Sequence, residues 1–443
     1  MSTDTPAQSE PNEAVTTAPD DDAALSDEAL IAAAPDVLAN SIGDYFRAWG
    51  TRIRNGESGA LPIIVGLIAI IIFFQIEQSS FLTAGNLVNL LVQAATYIMF
   101  GAAELFALLL SEIDLSVGFT GAVGAWVIAE LIAAPVGLPW WVAIIGGLLA
   151  TGFFGFLQGS LITRLGLPSF VVTLGGSLAM EGVMLELANV DKTAVGGVIN
   201  INTNSPIYKL VSTNMSTTLA WIVLVVGLAL FAALTLSRAR KRRAQGLTTP
   251  PLGITILTIA VTAVGGVVLV LICNANRGNL TPLRGVPWVV PFVVFVLLLW
   301  SWMLGRTRLG RYIYAIGANP EAARRAGINV ARVRTIGFML CSMTAGLAGL
   351  IYESRLGNMS VDFDGGTQVL FAVAAGVIGG ASLFGGRGKP LHALLGGIVI
   401  AAVFNGLGLM GVSAAVTDIA TAIVLIAAVT LDALVRRRSA TLS

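Results

Sequence analysis

Apolar and polar residues alternate along this chain in long blocks, with runs of about 20 mostly apolar residues separated by short polar segments. A run of that length, folded as an α-helix, crosses the hydrocarbon core of a bilayer. The chain therefore predicts an all-α polytopic membrane protein with about 12 transmembrane helices, or 10–12 if the Gly-rich run 366–384 and similar segments are re-entrant. The predicted spans are 60–77, 90–111, 116–135, 139–162, 168–188, 217–236, 252–274, 287–304, 333–352, 366–384, 390–410 and 413–434.

Basic residues are distributed unevenly over the segments between these spans. With both termini placed in the cytoplasm, 21 of the 26 Lys and Arg residues fall on the cytoplasmic side and five fall outside. Cytoplasmic loops of membrane proteins carry an excess of Lys and Arg, so this split favours cytoplasmic termini and an even number of crossings. The composition agrees, since only 12% of the residues are charged, against about a quarter in soluble domains.

The charge pattern also divides the chain into domains. Residues 1–59 hold 11 of the 25 acidic residues and only three basic ones, and they are rich in Ala, Ser, Thr and Pro. Such a segment buries too little apolar surface to offset its ordering entropy, so we predict a mostly disordered cytoplasmic tail. Residues 60–435 form the predicted transmembrane domain, which includes a cytoplasmic loop at 305–332. A short basic tail, 436–443, follows.

The loop 305–332 contains a segment that predicts a short helix. Asn319 is a plausible N-cap, Pro320 suits the first helical position, and the Glu321 charge suits the positive end of the helix dipole. Gly327 is expected to end the helix. Three alanines would give it a small, smooth face that another protein can approach closely: Ala322, Ala323 and Ala326. An amphipathic surface loop without a partner is the alternative interpretation.

Amide and aromatic side chains recur at helical spacing on one face near the second predicted span. They are Asn86, Asn89, Gln93 and Tyr97. Polar side chains are costly in lipid and therefore face the bundle interior or water. Amides exchange hydrogen bonds with hydroxyl groups, so this face is a candidate for lining a pathway for a polar solute. Asn405, in the eleventh span, is a further candidate. Interhelical hydrogen bonding is the alternative role for the whole set.

Several acidic residues also fall within predicted spans. Glu104, Glu130 and Glu181 leave open an ion-coupled carrier, although no basic partner lies near the centre of any span. Asp114 and Ser116 are expected to cap the third span rather than to bind a solute.

Motifs for nucleotide binding fail on inspection, so we expect neither a catalytic residue nor an ATP site. GGRGKP (Gly385–Pro390) resembles part of a phosphate-binding loop, but Leu383 stands where its first Gly is required and Pro390 where Ser or Thr would hold magnesium. GLGLMG (Gly406–Gly411) has dinucleotide-binding spacing inside an apolar span, where helix packing is the better interpretation. With one His and two Cys in apolar runs, no metal site is expected.

Four stretches together resemble the permease subunits of bacterial ABC sugar importers, in the ribose- and xylose-type branch. The stretches are EIDLSVG (Glu112–Gly118), LPSFVVTLGG (Leu167–Gly176), GRYIYAIGANPEAARRAGINV (Gly310–Val330) and GGASLFGGRGKPLHALLGG (Gly379–Gly397). The chain departs from the family at Glu112, where Gly is frequent, and at Gln158, where Asn is frequent. Its region 190–290 is longer than in ribose-type members and is similar to the longer xylose-type ones.

The resemblance implies a role and a set of partners. The chain would move a monosaccharide, most simply a pentose such as xylose, across the bacterial inner membrane, and another small solute is the alternative within the family. A separate cytoplasmic ATPase would use ATP and Mg²⁺, an extracytoplasmic sugar-binding protein would deliver the sugar, and a second permease copy would complete a homodimer in the lipid. No nucleic acid is implied. The residues that would couple to the ATPase are Gly317, Asn319, Glu321, Ala322, Ala323 and Gly327.

Overall fold

The computed structural model describes residues 61–190, 194–247, 249, 251–278, 281–423, 426 and 430. The predicted tails 1–59 and 436–443 and most of the second half of the last predicted span lie outside these residues. Fifteen helices are formed within the described ranges: α1 (Leu61–Glu77), α2 (Ala84–Leu109), α3 (Val117–Ile132), α4 (Trp140–Leu165), α5 (Ser169–Val190), α6 (Pro206–Ser212), α7 (Thr217–Ala244), α8 (Leu252–Asn274), α9 (Val289–Arg306), α10 (Arg308–Ala318), α11 (Pro320–Arg325), α12 (Val330–Leu356), α13 (Gly365–Ile378), α14 (Pro390–Leu409) and α15 (Ala414–Ile423).

Each of the twelve predicted apolar segments coincides with one of these helices, which confirms an all-α polytopic membrane architecture. Eight helices are long and apolar enough to cross a membrane, and α1, α3, α13 and α15 are shorter apolar helices within the described part of the chain. The helix α13 has 14 residues, about 21 Å at 1.5 Å per residue, which is less than the hydrocarbon thickness of about 30 Å. Twelve full crossings and the sides of the termini therefore stay predictions.

Three predicted spans were too short because helices continue where the apolar run stops. The helix α2 begins at Ala84 rather than at residue 90, since the Thr83 side chain caps it and the polar Asn86 and Asn89 belong to its first turns. The helix α7 runs through the arginine-rich cluster to Ala244, and α12 covers Val330–Leu356. Hydropathy marks the apolar part of a helix, whereas capping and hydrogen bonding decide where it ends.

The helix α2 is the centre of the bundle. In the most apolar 18-residue stretch of α2, 78% of the residues are buried, whereas the corresponding shares are 6% in α7 and 11% in α8. It packs against α12, α13 and α14, while α7 and α8 pack chiefly against each other and leave apolar side chains exposed, as helices facing lipid do. The bundle therefore consists of a buried central group of helices and an outer pair.

The helices α4 and α12 meet at two glycines of α4, Gly155 and Gly159, whose G-x-x-x-G spacing permits close approach of helix backbones. A Cβ atom at Gly155 would lie 2.5 Å from the Phe338 carbonyl oxygen, and one at Gly159 would lie 2.7 Å from the Thr335 Cα. Both positions bring the backbones of the two helices into direct contact, as small residues do in membrane bundles.

Two short strands, which the sequence did not indicate, join two connections of the bundle. The strand β1 (Val198–Asn200) follows α5, and β2 (Asn358–Ser360) follows α12. They pair in antiparallel register with Ile199 opposite Met359, and both of these side chains are buried. The pair fixes the end of α12 to the segment that precedes α6.

Candidate functional site: the loop 305–332 and the helix ends it contacts

The loop 305–332 folds into two helices, α10 and α11. The predicted cap is confirmed, because the Asn319 side chain accepts a hydrogen bond from the Ala322 backbone N–H at 2.9 Å, with Pro320 at the first helical position. Gly327 follows the helix in a left-handed conformation, with φ of 81°, which favours glycine. The sequence thus predicted both ends of α11 correctly.

Only part of the predicted small face is open to a partner. Ala322 and Ala326 are exposed, whereas Ala323 is buried in the main hydrophobic cluster. The Glu321 carboxylate forms ion pairs within the helix with Arg324 at 2.8 Å and with Arg325 at 3.4 Å. The open surface of α11 therefore combines two alanines with an intrahelical ion-pair network.

Gly317, at the end of α10, does not lie on that surface. A Cβ atom at this position would lie 1.8 Å from the Leu109 carbonyl oxygen and 2.5 Å from the Gly386 backbone nitrogen. The Gly386 N–H donates to the Leu109 carbonyl oxygen at 3.1 Å. Gly317 is therefore the point at which the loop 305–332 packs against the end of α2 and against the loop before α14.

Three segments meet at this point, and we call them together the junction: 109–111, 317–318 and 384–388. The Ser111 hydroxyl donates to the carbonyl oxygens of Gly317 and Phe384, each at 3.0 Å. Ser111 is the one non-glycine residue with positive φ among the described residues, at 64°. Such a conformation is uncommon, and here it places one hydroxyl between two segments that are far apart in sequence.

A direct hydrogen bond also joins α10 to the segment 384–388 before α14. The Tyr314 hydroxyl donates to the Gly388 carbonyl oxygen at 2.6 Å. Burial raises the pKa of the Tyr314 phenol, so this side chain remains a hydrogen-bond donor at physiological pH. The segment Gly385–Pro390, which resembles a phosphate-binding loop in sequence, forms part of this contact between helices.

The pathway candidates on α2 do not share one environment. The Asn86 amide donates to the Asn405 Oδ1 at 2.7 Å and to the Phe81 carbonyl oxygen at 2.9 Å. The structure therefore joins two candidates that are 319 positions apart, through an interhelical hydrogen bond between α2 and α14. Asn89 is exposed, Gln93 is half-buried, and neither side chain hydrogen-bonds to another described residue.

Tyr97 belongs to an aromatic cluster. Its ring lies 5.6 Å from Phe371 on α13 and 5.7 Å from Phe404 on α14, measured between ring centroids. These two phenylalanines also contact each other at 4.8 Å. Aromatic pairs at such distances stabilise packing. One half of the predicted face thus packs α2 against its neighbours, and the other half, at Asn89 and Gln93, is accessible.

A buried polar cluster that the sequence did not predict lies near the junction. Glu104 accepts from the Asp114 backbone N–H at 3.2 Å, Asp114 accepts from the Ser116 hydroxyl at 2.6 Å, and Gln158 donates to that hydroxyl at 2.9 Å. All four residues are at most 2% exposed. The cluster connects α2, the start of α3 and α4. Its member on α2, Glu104, lies five residues before the end of that helix at Leu109, which is about 7.5 Å at 1.5 Å per residue.

This cluster changes the expected roles of Asp114 and Ser116. Ser116 occupies the N-cap position of α3 but makes no side-chain capping hydrogen bond, because its hydroxyl is engaged with Asp114 and Gln158. Asp114 accepts from the Ser116 backbone N–H at 2.9 Å. The capping prediction is therefore wrong for Ser116, and Asp114 instead stabilises the turn before the helix.

The acids that suggested ion coupling are dispersed. Glu104 is fully buried, while Glu130 on α3 and Glu181 on α5 are only partly buried, and no hydrogen bond joins either of them to Glu104. No group of three His, Cys, Asp or Glu side chains suited to a metal ion occurs among the described residues. Cys273 and Cys341 are buried, unpaired thiols.

Comparison with known proteins places the chain in a family. Residues 86–429 match the family described as the branched-chain amino acid transport system / permease component. The xylose transport system permease protein of Escherichia coli strain K12 is 34% identical over 379 residues, which cover 85% of this chain and 92% of that protein.

Permeases for other sugars also match the chain. The D-allose transport system permease protein of the same strain is 28% identical, over 84% of this chain and 90% of its own length. The ribose import permease protein is also 28% identical, over 83% and 92%. No solved structure matches the chain. With a family model that covers residues 86–429 and a relative above 30% identity, the chain belongs to the family of permease components of ABC importers, among its sugar-importer members.

Proposed function

We propose that this chain is the permease subunit of an ATP-driven importer for a monosaccharide, with a pentose such as xylose as the first candidate. The support for the substrate is the 34% identity to a xylose permease along 92% of that protein. In this assembly the chain forms a homodimer in the bacterial inner membrane. A cytoplasmic ATPase hydrolyses ATP with Mg²⁺, and a binding protein delivers sugar from outside. A different sugar is the second candidate, since the allose and ribose permeases are 28% identical.

The observation that carries the mechanism is the junction. In our proposal the ATPase binds the open surface of α11, at Ala322 and Ala326, and its closure on ATP moves α10 and α11 together. Gly317 and Tyr314 transmit that movement to the end of α2 and to the loop before α14, because both segments contact α10 directly. The helices α2, α13 and α14 are thereby displaced as a group.

The distance between the junction and the pathway candidates suits such a transmission. Leu109 and Asn86 are 23 positions apart on one unbroken helix, which is about 35 Å at 1.5 Å per residue. A rigid helix of this length carries a small tilt at one end to the other. Asn89 and Gln93, on the accessible part of α2, are the residues that we propose to contact the sugar.

Ala322→Arg is expected to reduce sugar uptake at least about tenfold, which corresponds to about 1.4 kcal/mol of lost interaction with the ATPase. A long cation would occupy the open face of α11 beside Arg324 and Arg325. The matched control is Ala244→Arg, the same change at an exposed position after the arginine cluster of α7. The measurement is uptake of labelled sugar together with co-purification of the ATPase. Wild-type uptake and wild-type co-purification of the ATPase in Ala322→Arg would show that the ATPase does not bind the open surface of α11.

A further inference from the structure

The carboxyl end of α7 carries a dense group of positive charges, which we call the α7 basic end. Five basic residues occupy six consecutive positions there, and all five side chains are exposed. They are Arg238, Arg240, Lys241, Arg242 and Arg243. Cations near the carboxyl end of a helix interact favourably with the helix dipole, which amounts to about half a negative charge. Most of the positive charge of this group is therefore not compensated by the helix itself.

The described acidic residues near this side of the bundle are engaged elsewhere. Glu112 pairs with Arg334 at 3.3 Å, and Glu321 pairs with Arg324 and Arg325 on its own helix. Four members of the α7 basic end form no ion pair and no side-chain hydrogen bond with any described residue: Arg238, Arg240, Lys241 and Arg242. An acidic partner for them must come from outside the described part of the chain.

The α7 basic end projects beyond the hydrocarbon core of the bilayer. Positions 217–236 of α7 span about 30 Å at 1.5 Å per residue, which equals the thickness of the hydrocarbon core. The helix continues to Ala244, so Arg242 lies six positions, or about 9 Å, past the apolar run. Each headgroup layer is only about 5–8 Å thick. The last turn of α7 is therefore accessible to a partner in water.

The part of the chain that precedes α1 carries the complementary charge. Residues 1–46 contain ten acidic residues and no Lys or Arg. Half of these acids lie within nine positions: Asp20, Asp21, Asp22, Asp27 and Glu28. The segment 20–28, which we call the acidic segment, thus offers five negative charges to the five positive charges of the α7 basic end.

The acidic segment lies on the correct side and is long enough in reach. Six predicted spans separate it from the α7 basic end, an even number, so the two lie on the same side of the membrane when each of the six crosses. The described chain begins at Leu61, the first residue of α1. The 33 positions from Glu28 to Leu61 extend at most about 110 Å, whereas one helix with its side chains is about 10–12 Å wide. The acidic segment can therefore pass several helices to reach α7.

We propose that the acidic segment of this chain docks on the α7 basic end through ion pairs. An isolated exposed ion pair contributes little. Here both sets of charges belong to one chain, so several pairs form together in an intramolecular contact at a high effective concentration. The proposal requires that the two segments lie on the same side of the membrane, and it does not depend on which solute the chain transports.

Double electron–electron resonance on the full chain in palmitoyl-oleoyl phosphatidylcholine nanodiscs tests the proposal. Spin labels are attached at Ser26→Cys in the acidic segment and at Ala244→Cys after the α7 basic end, while the native Cys273 and Cys341 are buried. We expect a short and narrow distance distribution. It should broaden when KCl is raised from about 0.1 M to about 1 M, because the Debye length falls from about 10 Å to about 3 Å. A broad distribution at the lower salt concentration would overturn the proposal.

Neutralising two sets of exposed basic residues identifies the docking surface. The variant of the α7 basic end is expected to lose the short distance and combines Arg240→Gln, Lys241→Gln and Arg242→Gln. The matched control removes the same charge around the start of α10, where the arginines are also exposed, and should keep the short distance. It combines Arg306→Gln, Arg308→Gln and Arg311→Gln. Equal losses in the two variants would mean general attraction to a positive surface and would overturn the docking site.

Exchanging the charges separates direct pairing from an effect on α7 alone. Reversal at positions 240–242, by Arg240→Glu, Lys241→Glu and Arg242→Glu, should abolish the short distance. Adding Asp20→Lys, Asp21→Lys and Asp22→Lys to the same chain should restore it, because direct pairing depends only on opposite signs. No restoration would contradict the proposal. Loss of the short distance in nanodiscs that contain phosphatidylglycerol would overturn it as well and would assign the α7 basic end to anionic headgroups.

Discussion

Gly317→Val is expected to abolish sugar uptake while the chain still inserts into the membrane. The new side chain begins with a Cβ atom 1.8 Å from the Leu109 carbonyl oxygen, a distance at which the backbones of α10 and α2 must separate. Overpacking of this kind costs about 1–3 kcal/mol of folding stability. The larger effect is on coupling, because the separation also breaks the hydrogen bonds of Ser111 to the Gly317 and Phe384 carbonyl oxygens. The measurement is ATP-dependent uptake of labelled sugar beside the membrane-inserted amount of the chain.

The matched control is Gly227→Val on α7. A Cβ atom at Gly227 meets nothing within 4 Å, so the same substitution is accommodated there and should leave uptake close to wild type. ATP hydrolysis by the assembled complex provides a second readout. In Gly317→Val we expect hydrolysis that no longer responds to the sugar-loaded binding protein. Normal uptake in this variant would show that the junction does not transmit the movement of the ATPase.

Asn405→Leu is expected to destabilise the transmembrane bundle by about 1–3 kcal/mol, the cost of an unsatisfied buried polar group. Asn405 is 5% exposed, and its Oδ1 accepts the 2.7 Å hydrogen bond from Asn86. Leucine keeps approximately the same volume but leaves that amide N–H without its partner. We expect a lower thermal unfolding midpoint in detergent and a lower maximal rate of uptake.

Asn89→Leu, on the same helix as Asn86, separates packing from sugar contact. Asn89 is exposed and makes no side-chain hydrogen bond to the described residues, so its loss should not change the unfolding midpoint. If α2 lines the pathway as proposed, this variant raises the KM for the sugar instead. An unchanged KM in Asn89→Leu would mean that Asn89 does not contact the sugar and that the polar face of α2 has a purely structural role. An unchanged unfolding midpoint in Asn405→Leu would contradict the stabilising role of the Asn86–Asn405 hydrogen bond.

The sequence predicts the local features of this protein well. Apolar runs locate all twelve apolar helices because lipid requires a continuous apolar surface over a fixed length, and the Asn319–Gly327 segment carries its own capping signals. Gly155 and Gly159 likewise indicate a helix contact that the structure contains. In each case the physical cause lies within a few residues of the pattern.

Features that depend on distant residues were not predictable in this way. Gly317 has the sequence environment of a loop surface, yet it packs against Leu109, more than 200 positions earlier. Ala323 looks equivalent to Ala322 until the tertiary fold buries it. One of the two partners of the Ser116 hydroxyl described above is Gln158, on another helix, and no local signal distinguishes that arrangement from a helix cap. Resemblance to a family identified the loop as important, but only the packing shows what it touches.

ATP-dependent uptake of labelled D-xylose into proteoliposomes tests the central claim most directly. The vesicles would contain this chain with its cognate ATPase, and the binding protein would be added on the side where the sugar is supplied. We predict that accumulation requires both ATP and the binding protein and persists when proton and sodium gradients are dissipated by ionophores. Accumulation driven by an ion gradient without ATP would contradict the account and would direct attention to Glu104, Glu130 and Glu181.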